Sequence, residues 1–165
     1  KSIKYISRDQ EFYLQSKQVV ICSGAWTNSI SNSLFEVDIR PVKGQSIRLN
    51  GPNMLKHVIR TSDVYLVSRS NGELVVGGTV EEKGFDKTIT NQAKDFLIDS
   101  AKKMHNDIDQ FPFHSQTACL RPQVENDLPI IEKISNSVYI ASGGGGWGIM
   151  MSIMVGELIE NEINS

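Results

Sequence analysis

The chain has 165 residues, 39% of them hydrophobic and 22% charged, which suits one sizeable folded core and argues against disorder. A formal net charge of −2 without a dense Lys/Arg run disfavours nucleic acid as a partner, and the longest apolar stretch, Ile149 to Val155, falls far short of the ~20 residues of a membrane span. With no signal-peptide core at Lys1-Ser2-Ile3-Lys4, widely separated Cys22 and Cys119, and isolated His57, His105 and His114, the expectation is a cytoplasmic protein with no transmembrane segment, disulfide framework or metal.

A short strand is expected around Ile3 to Ser7, followed by polar residues. Val19-Val20-Ile21-Cys22 is an unbroken apolar run ending at Ser23-Gly24-Ala25-Trp26, and it suits a strand covered on both faces, as in a parallel sheet. Pro41 to Leu49 opens with Pro and Gly and settles into alternation at Ser46 to Leu49, the pattern of a half-buried strand. A second alternating strand covers Lys56 to Arg60. Val64 to Arg69 and Glu73 to Val80 flank Ser70-Asn71-Gly72, and because Asn-Gly tolerates positive φ, the spacing predicts a β-hairpin. From Thr90 the period changes: Ala93, Phe96, Leu97, Ala101, Met104 and Ile108 recur at helical steps, with Thr90 or Asn91 as N-cap and Pro112 as terminator. Thr117 to Leu120 returns as a strand, Arg121-Pro122 breaks it, and Asp127 to Ile131 makes a turn.

The closing segment is the most informative. Val138-Tyr139-Ile140-Ala141 runs into Ser142-Gly143-Gly144-Gly145-Gly146-Trp147-Gly148 and then Ile149 to Val155, which reads as strand, bare-backbone turn and helix start. Such a junction presents main-chain N–H groups and the positive end of a helix to a nucleotide or a flavin. Gly143, Gly145 and Gly148 satisfy G-x-G-x-x-G, but only seventeen residues follow Gly148, too few for the second parallel strand of a dinucleotide fold. The alternative is a glycine turn needed only for close helix-to-sheet packing.

Taken together, Val19 to Trp26, Pro41-Val42-Lys43-Gly44-Gln45, Val75 to Glu81 with Gly84-Phe85-Asp86, Leu120-Arg121-Pro122 with Asp127 to Ile130, and the glycine turn stand in one order along the chain. In that order they resemble the carboxyl-terminal half of the FAD-dependent D-amino-acid oxidase superfamily, which includes glycine oxidase, D-amino-acid dehydrogenase and sarcosine oxidase. The resemblance implies an α+β fold: an antiparallel and mixed substrate sheet with one main helix, flanked by pieces of an FAD-binding α/β domain. It implies boundaries at 1–33 (first flank), 34–117 (substrate sheet) and 118–165 (the return, with strand, turn and helix). Enzymes of this kind begin with a strand and G-x-G-x-x-G that hold most of the FAD, and nothing like it stands in the first thirty residues. The expectation is therefore a fragment, inactive alone, whose partners are a small amino-acid substrate and the missing amino-terminal FAD-binding segment.

The same resemblance assigns residues. Arg121 would clamp the substrate carboxylate, for which a guanidinium offers two parallel donors; the competing role is to tie a loop to main-chain carbonyls or to Glu125. Tyr65 would help hold the carboxylate, or would pack across strands as most sheet aromatics do. Gly143, Gly144, Gly145, Gly146, Trp147, Gly148 and Ile149 would approach the flavin ring, with Gly146 and Trp147 standing where glycine oxidase has Arg and Asn. Cys119 lies near the position of the covalent flavin cysteine of sarcosine oxidase, although a buried apolar filler is the commoner fate of such a thiol. Lys43 could lie near the flavin, the alternative being an exposed strand lysine. The implied reaction is oxidation of a small amino acid at its C–N bond; the reading from another class is a non-catalytic binding domain that kept the sheet.

Overall fold

The computed structural model describes residues 2–30, 35–51 and 55–165. The strands are β1 (Ser2–Ser7), β2 (Gln10–Gln15), β3 (Val19–Ile21), β4 (Arg40–Asn50), β5 (Ile59–Arg60), β6 (Tyr65–Ser68), β7 (Glu73–Gly77), β8 (Phe113–Gln123), β9 (Pro129–Ser135) and β10 (Val138–Gly143). The helices are α1 (Thr27–Ile30), α2 (Asn91–Met104) and α3 (Gly148–Asn164), with 3-10 turns at Gly24–Trp26 and Asn106–Gln110. The chain divides into two compact units: Lys1–Arg40 together with Arg121–Ser165, and Pro41–Leu120. The expected boundary between residues 33 and 34 lies outside the described residues.

In the first unit β3 pairs in parallel with β10, and β10 pairs antiparallel with β9, giving the order β3-β10-β9. Val37, Ile39, Val124 and Ile140 close its small core, with Ile21, Phe35, Ile130 and Ile134 packed around them. The opening is a hairpin. β1 and β2 pair from Ser2↔Gln15 to Ser7↔Gln10, so the stretch after Ser7 is a second strand rather than a polar linker. Its turn is Arg8-Asp9, with φ of 50° and 62°, and Tyr5 stacks on Phe12 with ring centroids 5.2 Å apart. Both turn residues take the positive φ that a two-residue hairpin needs, without the Asn-Gly that announces it in sequence.

The second unit is a five-stranded sheet of order β5-β6-β7-β4-β8 with α2 against it. Ile47 and Leu49 of β4, Leu66 of β6, Leu74 and Val76 of β7, and Leu97 and Ala101 of α2 share one core with Val64 and Ile108. Asn71-Gly72 turns the β6–β7 hairpin as its sequence requires, with Gly72 at φ 84°. Thr90 is the N-cap of α2: its side chain accepts from the Ala93 N–H at 3.2 Å. Phe96 does not join the buried face; it is exposed, while Ser100 is buried beside Leu97 and Ala101.

Three expected elements change. The strand at Lys56 to Arg60 contracts to Ile59–Arg60. Arg121-Pro122 does not break its strand, because β8 runs on to Gln123; β8 is an edge strand, where a missing N–H need not remove a ladder bond. The stretch expected to be a turn up to Ile131 is already strand β9 from Pro129, and the turn proper sits at Asp127, with φ 58°.

Candidate functional site

The site is built on the end of β10. Ser142, buried there, lies 2.9 Å (Oγ to Oγ1) from the fully buried Thr27, and the two hydroxyls reach the Gly24 carbonyl at 3.2 and 2.7 Å. These bonds fix the turn after β3 to the mouth of the glycine run. Sequence reasoning missed both hydroxyls, since a Ser and a Thr 115 positions apart give no local signal.

Gly143, Gly144 and Gly145 then take φ of 89°, 81° and 48°, backbone that a side chain adopts only under strain. A Cβ on Gly145 would also stand 2.8 Å from Asp127 Oδ1 and 3.0 Å from Gln123 Oε1. Gly146 differs from its neighbours. It is exposed, its φ lies outside the positive range, and a Cβ there would meet nothing within 4 Å, so nothing in the chain requires glycine at that position. The Trp147 N–H donates to the Gly144 carbonyl at 2.7 Å and closes the turn. The Met151 N–H donates to the Trp147 carbonyl at 3.1 Å, which leaves the N–H groups of Gly148, Ile149 and Met150 ahead of the α3 ladder. The Trp147 side chain is exposed and makes no capping bond to the helix.

Arg121 enters through β8. The Gly145 N–H donates to the Pro122 carbonyl at 3.0 Å, so the Leu-Arg-Pro strand end and the glycine turn are bonded to each other. Arg121 itself is half-buried. Behind this bond Gln123 Nε2 donates to the Val124 carbonyl at 3.0 Å and to Asp127 Oδ1. The Gln123 and Asp127 pair was also missed in the sequence; it braces the outer side of Gly145.

Tyr65 belongs to the second unit. It stands opposite Gly77 in the β6–β7 register, and its ring occupies the space that a Gly77 Cβ would take. Lys43 is corrected: it is not an exposed strand lysine but only 1% exposed, with Nζ 3.6 Å from Glu81 Oε2 and 3.4 Å from Asp86 Oδ2. Its neighbour on the same face, Gln45, is equally buried and bonds Glu81, Thr90 and Gln116. Burial pushes the Glu81 carboxyl up, but hydrogen bonds from Thr79 and Gln45 and the charge of Lys43 outweigh it and hold the group below its ordinary value. Hydrogen bonds from Thr88, assisted by Lys43, bring Asp86 down to about 2. Cys119 is exposed on β8, so it is not a buried filler. Among the described residues no three His, Cys, Asp or Glu side chains gather as metal ligands would.

These features fit the edge of a flavin. A run of main-chain N–H groups and the positive end of α3 suit an electron-rich ring edge, and the bare, open backbone at Gly146 admits close approach. Among the described residues no helix is long and apolar enough to cross a membrane.

Comparison with known proteins identifies relatives of this fold. The chain is 28% identical to the hydrogen cyanide synthase subunit HcnC of Pseudomonas aeruginosa, over 99% of its own length and 40% of that protein. It is 31% identical to the glycine oxidase of Pseudomonas putida over 72% of its length and 33% of that protein. It superposes on the crystal structure of glycine oxidase from Geobacillus kaustophilus with a TM-score of 0.85 at 25% identity, covering 92% of this chain and 42% of that one. The chain thus spans about two fifths or less of the length of these relatives. Residues 3–161 match the family described as DAO, FAD dependent oxidoreductase, and with a fold shared with glycine oxidase the chain belongs to that FAD-dependent family.

Proposed function

We propose that the chain is the substrate-sheet and carboxyl-terminal flavin portion of an oxidoreductase that oxidises a small amino acid, such as glycine, sarcosine or a D-amino acid, at its C–N bond. In this reading the first unit holds part of the flavin and the second is the substrate sheet. The observation that carries it is the bond from the Gly145 N–H to the Pro122 carbonyl, which places the Arg121 segment against the glycine turn. The relatives named glycine oxidase support the substrate class.

FAD, when bound, would supply the two-electron acceptor for a hydride from the substrate Cα, and hydrolysis of the resulting imine would give a 2-oxo acid and ammonia, or methylamine where the substrate is sarcosine. Arg121 holds the carboxylate with paired, charge-assisted hydrogen bonds and so fixes which face of Cα is presented. The main-chain N–H groups of Gly148, Ile149 and Met150, at the positive end of α3, offset negative charge placed against the turn. Tyr65 is a second proposed substrate contact on the strength of the resemblance, and Cys119 a proposed attachment point for covalent flavin.

The test is anaerobic mixing of the flavin-loaded, complete enzyme with a panel of glycine, sarcosine and D-amino acids. Loss of the oxidised-flavin absorbance with at least one of them, abolished in Arg121→Ala, is the expected result; an oxidised flavin with every amino acid refutes the reading.

A further inference from the structure

In the second unit the strand register sorts side chains onto two faces of the sheet. Ile47 and Leu66 both stand opposite Val76, and these three belong to the core beneath α2. Arg48 stands opposite Val75 and Val75 opposite Val67, while Ser46 and Tyr65 both stand opposite Gly77. Arg48, Val75, Val67, Ser46 and Tyr65 therefore share the other face. Arg60 stands opposite Tyr65 and joins that face at the β5 edge. Ser46 is occupied, its Oγ lying 3.1 Å from Thr117 Oγ1.

Arg48 is half-buried, and the side chains level with it on β7 and β6 are valines, which carry no acceptor. Among the described residues it makes no ion pair or hydrogen bond, whereas Lys43, on the α2 face of the same strand, meets both Glu81 and Asp86. The acid that follows on the Arg48 face, Glu73, stands opposite Asn50, and its ion pair is with His114 Nε2 at 4.0 Å. No buried side-chain nitrogen among the described residues lacks a partner, so the guanidinium head of Arg48 reaches solvent while its stem is covered. The Tyr65 ring crosses Gly77 toward β4, because its hydroxyl and Cζ fill the place of a Gly77 Cβ. Arg48 is two residues along β4 from Ser46, the partner of Gly77. With strands ~4.8 Å apart and ~3.3 Å of rise per residue, the Arg48 Cα lies about 8 Å from the Tyr65 hydroxyl. A phenol O–H and a guanidinium thus open onto one small stretch of sheet.

We propose that Arg48 is a specificity-determining residue that receives a second carboxylate on the substrate, so that the preferred substrate is a dicarboxylic amino acid such as D-aspartate or D-glutamate. The proposal rests on the reading above in which this sheet binds substrate and Tyr65 contacts it. Chemistry narrows the group to a carboxylate. A guanidinium offers two parallel donors that fit two oxygens on one carbon, and it keeps its charge at any working pH. The flanking valines thin the water around such a pair and strengthen it. Arg60, beside Tyr65, adds positive charge to the same face and favours an anionic side chain over a cationic one. A large apolar side chain would instead strip water from Arg48 without giving it a partner, which is unfavourable.

The complete, flavin-loaded enzyme is compared on two near-isosteric pairs, D-glutamate with D-glutamine and D-aspartate with D-asparagine, by following flavin reduction. In at least one pair the acid is expected to have a kcat/KM about ten-fold or more above its amide. Arg48→Met should collapse that ratio by about ten- to a hundred-fold, chiefly through KM for the acid, and Arg48→Lys, which keeps the charge, should restore part of it. The parent comparison needs no variant and decides even where Arg48→Met does not fold. Amides used as well as their acids overturn the proposal, and so does an equal loss on acid and amide in R48M. Calorimetry with glutarate and butyrate reads the anion site without turnover: glutarate should bind about ten-fold or more tightly than butyrate, an advantage that R48M loses. That result with a flavin left oxidised by every amino acid keeps the carboxylate site and removes the oxidase reading. Amino-acid oxidation with no preference for the acid, and glutarate bound no better than butyrate, does the reverse.

Discussion

Alanine at two adjacent glycines separates a turn built for packing from a turn built for a ligand. At Gly145 the backbone sits at φ 48° and a Cβ would stand 2.8 Å from Asp127 Oδ1. Left-handed backbone costs an ordinary residue about 1–2 kcal/mol, and displacing Asp127 from Gln123 forfeits a hydrogen bond worth about 1 kcal/mol. Gly145→Ala is thus expected to destabilise the chain by about 2–3 kcal/mol. At Gly146 no neighbour lies within 4 Å of a Cβ, so Gly146→Ala should be neutral or stabilising by up to about 1 kcal/mol through the unfolded state. Urea denaturation followed by circular dichroism measures both. If the bare backbone at Gly146 serves flavin approach, the same Ala should weaken FAD retention by the complete enzyme about ten-fold, since intruding on a packed contact costs about 1–3 kcal/mol. Equal destabilisation by the two variants, or undiminished flavin retention by G146A, would refute this reasoning.

Other consequences follow from the second unit. Lys43→Met removes the buried member of an ion cluster and leaves Glu81 and Asp86 partly hydrated, whereas Glu81→Ala leaves a buried ammonium short of a partner; the second should be the more destabilising in urea titrations, approaching the ~3–5 kcal/mol of a broken buried pair. Both carboxyls titrate lower in the fold than their ordinary 4.5 and 3.8, so the stability they contribute is full above those values and is lost as pH falls toward about 2. Urea midpoints taken from pH 6 down to pH 2 should therefore drop in that window, and less steeply in Glu81→Gln. Gly77→Ala places a methyl where the Tyr65 ring lies; it should cost about 1–3 kcal/mol by overpacking, and if Tyr65 contacts substrate it should raise KM with the Tyr65 ring displaced in NMR spectra.

What was legible in the sequence is what local chemistry enforces. Asn71-Gly72 has one economical conformation and gave its hairpin, Thr90 capped its helix, and the glycine run turned a strand into a helix start. The family order of motifs carried the cofactor. What was not legible depends on partners distant in sequence. The burial of Lys43 is decided by Glu81 and Asp86, which stand 38 and 43 positions away, and a strand lysine by itself reads as exposed. The Thr27–Ser142 contact that seats the glycine turn joins the two flanks of the first unit. Arg8-Asp9 turned a hairpin although Arg rarely takes positive φ, and Pro122 stayed within a strand because β8 lies at a sheet edge. Phe96 fell outside the core because the buried face of α2 is formed by Ala93, Leu97, Ser100 and Ala101, and Phe96 stands beyond its margin.

The claim on which the functional account stands is that Arg121 grips a carboxylate beside the glycine turn. Titrating the complete, flavin-loaded enzyme with a small unreactive carboxylate, glycolate for example, and following the flavin absorption spectrum measures that grip without turnover. Removing a charge-assisted hydrogen bond costs about 1.5–3 kcal/mol, so Arg121→Met should weaken glycolate binding by about ten- to a hundred-fold while the flavin stays bound. The same dissociation constant in the parent and the variant would contradict the account.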